Sequence, residues 1–261
     1  MYKVIVEFDP WARMGNRMFQ YALGYILAKN KNYEFYHDGL PNFNIKPNPY
    51  TGNKNNLNNP IYSRRSYGNH YVNINELEQH EGDIVIDSYA QKAEYYLDYR
   101  TELINRFNFK AENIIPESDL LMHVRETDAE DLNYFLGYDY YKKVIETTDY
   151  ENYHIVSDNA YCSAVQQLVK DGCKLVTEGY VDKFELKCND RAMVDFSALL
   201  AAPNILLSQS SFSWWAAFLN NHTNVIFPYR ASINFWPINP EKDDIDLFFN
   251  LKGEGSRFVT K

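Results

Sequence analysis

The succession Asn204 to Asn220, NILLSQSSFSWWAAFLN, narrows the fold more than any other stretch, because a strand, a hydroxyl-rich turn and an apolar helix follow one another without a break. Ile205, Leu206 and Leu207 form an apolar run of strand length, and Trp214, Trp215, Ala217, Phe218 and Leu219 give a helix with a wide buried face. Ser208, Gln209, Ser210, Ser211 and Ser213 lie between them. A single serine there reads as a plain helix cap, yet the same helix start offers unpaired N–H groups and a partial positive charge to an anion. Four hydroxyls and a glutamine at the carboxyl end of a predicted strand favour a binding turn, since ligands of open α/β sheets sit there.

The same alternation recurs through the second half. Strands are predicted near 120–124, 154–157, 173–177, 205–208 and 225–227, with helices at 140–147, 160–170 and 190–201 between them. Alternation of this kind implies a parallel, Rossmann-like sheet. The residues just after the strands then converge on one edge: His123 to Asp128, Ser157 to Asn159, Ser208 to Ser213, and Pro228 to Arg230.

The first half opens with a strand over Val4, Ile5, Val6 and Phe8 that ends at Asp9-Pro10. A helix follows, with Met18, Phe19, Ala22, Leu23, Ile26 and Leu27 on one face. Gly15 and Asn16 are thereby placed at the strand-to-helix turn, which is either a tight turn or a ligand loop. Glycine allows close backbone approach, and Asn16 and Arg13 can donate to sugar hydroxyls or phosphate. Residues 42–60 carry eight asparagines and three prolines without periodicity, which predicts an exposed loop, a surface insertion or a cover for an acceptor cleft. A strand at Ile84 to Ile86 and one helix from Ala93 to Phe107 complete this half, and 108–116 reads as the boundary.

For 261 residues at about 150 per domain, two domains are expected. With 45% hydrophobic and 16% aromatic residues there is material for a sizeable core, and no apolar run is long enough to span a bilayer. The start, MYKVIVEFDPW, reads as a strand rather than a signal peptide, so a cytoplasmic protein is expected; contact with a membrane surface stays open. Cys162, Cys173 and Cys188 lack CxxC spacing and fit free structural thiols. A formal charge of -9 argues against nucleic acid as a partner.

The strand-end residue types support metal-free chemistry at a phosphate-bearing substrate. Arg125 can hold a diphosphate bidentately, and the serine turn supplies further donors. An anion-stabilising donor in a water-poor cleft is commonly worth about 3 to 4 kcal/mol of barrier. His123 is a donor to phosphate or ribose, or else a satisfied strand histidine. Asp128 and Asp158 can accept from sugar or base, or else cap the helices that follow. Asp244-Ile245-Asp246 has a DxD pattern, but in KDDIDLFF it reads as a solvated turn rather than a metal motif.

Five segments, in order, resemble family 11 glycosyltransferases, the α-1,2-fucosyltransferases. ARMGNRMFQYALG resembles their GGLGNQMFQYA opening, and YAQKAEYY from Tyr89 to Tyr96 is similar to their GYFQSxKYF segment. HVRETD stands where they carry HxRRGD, YHIVSDN resembles FYVFSDD, and SQSSFSWWAAFLN, followed by VIFP, matches NSSFSWWAAWLN. The resemblance implies an α/β, GT-B-like fold with two Rossmann-like domains facing a central cleft. These are an acceptor-side domain over 1–115 and a nucleotide-sugar domain over 116–261, with the last residues packing back on the first. It implies inverting transfer of L-fucose from GDP-β-L-fucose to O2 of a galactose-type acceptor glycan, with no metal or other cofactor.

Carried over by residue, Arg125 binds the β-phosphate with His123 and Asp128 beside it. Ser210, Ser211 and Phe212 line the diphosphate and nucleotide pocket, and Asp158 approaches the nucleotide. Arg13, Gly15 and Asn16 face the fucosyl group and acceptor. Glu126 departs from the family, whose second arginine stands there; a carboxylate beside a diphosphate costs binding unless it is paired or points away. A general base is not singled out. Asp9 and Asp128 are the candidates, or the leaving phosphate takes the proton. Another nucleotide-sugar donor or acceptor, and a catalytically silent sugar-nucleotide or glycan-binding protein, are the alternatives.

Overall fold

The computed structural model describes residues 1–10, 12–63, 72–109, 111, 115–125, 136–176, 191–220 and 222–228. These fall into two compact units, one ending at Phe109 and the other taking up the described residues from Ala111 on. The proposed return of the last residues to the first unit lies outside the described residues.

The first unit holds a four-stranded parallel sheet in the order β2-β1-β4-β3, with β1 at Lys3–Val6, β2 at Glu34–Tyr36, β3 at Ile61–Ser63 and β4 at Ile84–Ile86. Central strands of parallel sheets are covered on both faces and therefore read as unbroken apolar runs. Val4, Ile5 and Val6 of β1, and all of β4, are buried. The edge strands β2 (EFY) and β3 (IYS) are three residues each and partly exposed, so they leave no pattern in the sequence, and the sequence reading missed both.

Helix α1, Met14–Lys31, crosses from β1 to β2 and buries Met18, Phe19, Tyr21, Ala22 and Leu23 completely. It stops at Asn32, which takes the left-handed conformation (φ 53°) while Asn32 N and Tyr33 N cap the carbonyls of Lys29 and Ala28. Gly24 lets this helix lie close to the sheet: a Cβ there would overlap Val6 Cγ2 and the ring of Phe35. A short helix α2, Ile74–Gln79, precedes β4.

One expectation needs correction. The single helix over 93–107 is two, α3 at Glu94–Leu97 and α4 at Arg100–Phe107, because Tyr99 leaves helical geometry (φ −103°, ψ 6°). The stretch 42–60 is exposed over most of its length, as expected, and is pinned to the unit at a few points. His37 pairs with Asn48 and Leu40 with Ile45 in antiparallel bridges, and Phe43 packs edge-on against Phe107 at 5.1 Å.

The second unit carries a five-stranded parallel sheet in the order β7-β6-β5-β8-β9. Its strands are β5 at Leu120–Val124, β6 at Tyr153–Ser157, β7 at Lys174–Leu175, β8 at Asn204–Leu206 and β9 at Asn224–Ile226. The described helices between them are α5 at Gly137–Thr147, α6 at Ser163–Lys170, α7 at Arg191–Ala201 and α8 at Ser211–Leu219. Each predicted strand and helix of this half is present within a few residues. The α/β class with parallel sheets is therefore that of the chain.

Both sheets are fastened at their amino edge by a buried aspartate. Asp83, fully buried ahead of β4, accepts from the backbone N–H groups of Lys3 (2.8 Å) and Asn58 (2.7 Å). Asp119, ahead of β5, meets His154 Nε2 at 2.7 Å and accepts from Asn152 and Ser118, while Asn204 Nδ2 donates to its carbonyl. Burial works against the Asp119 carboxylate, but the bonds from His154, Asn152 and Ser118 outweigh it and hold its pKa below the usual range. Burial pushes the Cys173 thiol up to about 11, which makes it an inert core group; Cys188 lies outside the described residues.

Candidate functional site

The opposite, carboxyl edges carry the predicted site residues. In the second unit, the chain leaving β5 passes through α5 to β6 on one side, and the chain leaving β8 passes through α8 to β9 on the other. Where adjacent strands send their connections in opposite directions, an open α/β sheet forms its binding crevice.

The two strand ends at that point are joined by side chains. His123, 5% exposed, directs Nδ1 to Ser208 Oγ at 2.6 Å, and its ring stacks on Phe212 at 5.6 Å. Arg125 Nη1 donates to the carbonyl of Gln209 at 3.3 Å, which brings the guanidinium to the serine turn. Register pairs Val124 with Ser157, so the backbones carrying Arg125 and Asp158 leave neighbouring strands side by side. Burial lowers the His123 pKa to about 4 against the opposing pull of Asp158, with Arg125 adding to the lowering. The imidazole is therefore neutral at pH 7, and Arg125 is the permanent cation of the cluster.

The serines divide their work. Ser210 is the cap of α8, accepting from Phe212 N at 3.3 Å, and Ser213 donates to the carbonyls of Ser210 and Ser208. Ser208 belongs to His123, and Ser211 opens the helix. Trp214, Trp215 and Phe218 are buried, with Trp214 stacked on Phe218 at 4.7 Å, so the helix start is rigidly mounted. Both polar atoms of the Gln209 side chain are buried and meet no hydrogen-bond partner among the described residues, an unfavourable state that a polar ligand would relieve. Asp158 is exposed and is not a helix cap: the cap position of α6 is Cys162, without a side-chain bond.

Asp128, Glu126 and Thr127 lie outside the described residues, as do Tyr229, Arg230, Asp244 and Asp246. Among the described residues, no three His, Cys, Asp or Glu side chains are grouped to hold a metal ion, and no helix is long and apolar enough to cross a membrane.

No family model and no curated protein matches the chain. Solved structures do. A NodZ fucosyltransferase from Bradyrhizobium is 12% identical, covering 85% of this chain and 93% of its own, with a TM-score of 0.47. A NodZ α-1,6-fucosyltransferase co-crystallised with GDP is also 12% identical over 85% and 93% (TM-score 0.46), and one soaked with GDP-fucose is 11% identical over 85% and 94% (0.45). Likenesses of this size assign no residue a role.

In the first unit the corresponding cluster sits beyond β1 and β4. Asp9 accepts from Tyr89 Oη at 2.7 Å, and its carbonyl accepts from Ala12 N. Asn16 Oδ1 accepts from Gln91 Nε2 at 2.8 Å. Gly15 and Asn16 belong to the first turn of α1 rather than to the loop before it, and Arg13, exposed, is the residue just ahead of the helix. The loop readings for Gly15 and Asn16 are corrected accordingly. Sequence reasoning noted the segment Tyr89 to Tyr96 but gave Tyr89 and Gln91 no role, although their place just after β4 was a usable signal.

Proposed function

We propose that the chain is an inverting glycosyltransferase of the family 11 type with a GT-B-like architecture, its first unit serving the acceptor and its second the nucleotide sugar. The donor is GDP-β-L-fucose and the acceptor hydroxyl is O2 of a galactose-type glycan. The observation that carries the reading is the Arg125 guanidinium bonded into the turn of Ser208, Ser210 and Ser211 at the divergence of β5 and β8. A fixed cation, hydroxyls and the N–H groups of a helix start are what a diphosphate leaving group needs.

In the reaction, the acceptor oxygen forms a bond to C1 of the fucosyl group as the bond from C1 to the β-phosphate oxygen breaks. GDP departs with the electron pair, and configuration at C1 inverts. Arg125 takes up the charge that grows on the phosphate, with no metal called for in this reading. The acceptor proton goes to Asp9, which is our choice of base, with Asp128 as the other carboxylate. His123 orders the turn through Ser208, and Asp158 faces the nucleoside. A cytoplasmic location and the absence of a nucleic-acid partner belong to the same reading.

Thermal denaturation with GDP, UDP, dTDP and their sugars tests the donor. A ligand at 100 times its dissociation constant adds about 2.7 kcal/mol, so GDP and GDP-fucose should raise the melting temperature. A shift with UDP or dTDP alone would overturn the donor, and full turnover by Arg125→Ala would overturn the site. GDP release on adding a galactoside separates an enzyme from a silent binding protein.

A further inference from the structure

The segment after β4 contains three buried polar side chains that the donor site does not use. Ser88, Tyr89 and Gln91 are all buried, and each makes a side-chain bond to a different part of the first unit. Ser88 Oγ meets Ser63 Oγ at 2.5 Å, Tyr89 donates to Asp9, and Gln91 donates to Asn16. Between the last two stands Ala90, fully buried and with φ +47°. That left-handed conformation costs an L-residue other than glycine roughly 1 to 2 kcal/mol, so the surrounding structure must enforce it.

The enforcement is visible. The Ala90 carbonyl accepts from Tyr96 Oη at 2.8 Å and from Lys92 N at 2.9 Å. Tyr96 is fully buried, and burial pushes its hydroxyl well above the usual range, so it stays protonated and able to donate. Strain held in place by a buried tyrosine, at the ligand-bearing edge of a sheet, is the form that preorganised sites take.

We propose that this turn is a positioning device. Tyr89 orients the Asp9 carboxylate and Gln91 orients the Asn16 carboxamide toward the acceptor sugar, and the Ala90 conformation lets both reach at once. Asp9 and Asn16 come from the β1–α1 connection and from α1, so the bonds also lock the first turn of that helix to the end of β4. The device rests on the reading above that this unit serves the acceptor. A hydrogen bond to the ionised carboxylate favours that form, so Tyr89 sets the acidity of Asp9 as well as its direction.

Tyr89→Phe removes the one hydroxyl. Carboxyl-carbon NMR titration, with the Asp9 signal assigned through Asp9→Asn, should place the Asp9 midpoint about one unit higher in Tyr89→Phe than in the parent. In turnover, Tyr89→Phe should lower kcat about tenfold or more, leave KM for the donor within about twofold, and move the acidic limb of the pH profile upward. An unchanged Asp9 midpoint, or an active parent whose kcat and acidic limb survive Tyr89→Phe, overturns the device and leaves the transferase reading standing. A parent that neither binds nor transfers a nucleotide sugar overturns that reading, while the titration still decides whether Tyr89 governs Asp9. Should Tyr89→Phe fail to fold, Gln91→Met serves: kcat should fall with donor binding intact, and an unchanged kcat overturns the device.

Discussion

His123 Nδ1 lies 2.6 Å from Ser208 Oγ, a bond between two buried groups that ties the end of β5 to the turn after β8. The burial of His123 also makes stability depend on pH. The free imidazole titrates at 6.5 and the buried one at about 4, so between those values the unfolded chain takes up a proton that the native chain does not. The contribution is whole above pH 6.5 and is lost as pH falls to about 4, about 3 kcal/mol in all. Urea unfolding at pH 7, 5.5 and 4 should show that loss, and His123→Asn should flatten it.

Below that window the second unit has a further acid-labile contact. The Asp119 carboxylate is held below its ordinary value of 3.8, so its bonds to His154 and Asn152 persist until pH falls through that range. Asp119→Ala should therefore raise the acid-unfolding midpoint, followed by far-ultraviolet circular dichroism from pH 5 to pH 2.

Asp83 provides a test of stability without chemistry. Asp83→Ala leaves the backbone N–H groups of Lys3 and Asn58 without their acceptor, at a cost of about 3 kcal/mol. Because these bonds lie at the amino edge of the sheet, turnover per folded molecule at low temperature should stay unchanged while the urea midpoint falls.

Gly24→Ala should destabilise by about 1 to 3 kcal/mol, since the added carbon meets Val6 and Phe35 in a packed layer. Val6→Ala in the same chain should recover part of the loss, and a double-mutant cycle on melting temperatures reads the coupling.

At Ala90 the two simplest substitutions should part company. Ala90→Gly relieves the left-handed strain and should leave stability within about 1 kcal/mol of the parent. Ala90→Val puts a branched side chain at φ +47° in a fully buried position and should lower the melting temperature sharply.

Much of the second unit was legible beforehand. Its central strands carry short apolar runs, Leu120 to Met122, Ile155-Val156 and Ile205-Leu206, and the strand-end rule was enough to bring Arg125 to the serine turn, where it bonds Gln209. The edge strands EFY and IYS were not legible, because three half-exposed residues carry no period. Nor was the break at Tyr99, where the apolar spacing of Tyr96, Leu103 and Phe107 continues across the turn. Tyr89 and Gln91 stood in the segment YAQKAEYY but received no role, because the turn at Ala90 that aims them was not legible. Left-handed turns are signalled by glycine or asparagine, and here an alanine adopts one because Tyr96 and the surrounding core hold it there.

Within each sheet the buried aspartate lies at the amino edge, Asp83 away from Asp9 and Tyr89 in the first unit and Asp119 away from His123 and Arg125 in the second, which bears on how such a chain can diversify. Substitutions at exposed carboxyl-edge positions such as Arg13 and Asp158 leave those aspartate bonds untouched, so mutational drift there can proceed while each scaffold survives. The converse also holds: damage at the two aspartates should lower cellular abundance long before it alters what the surviving molecules do.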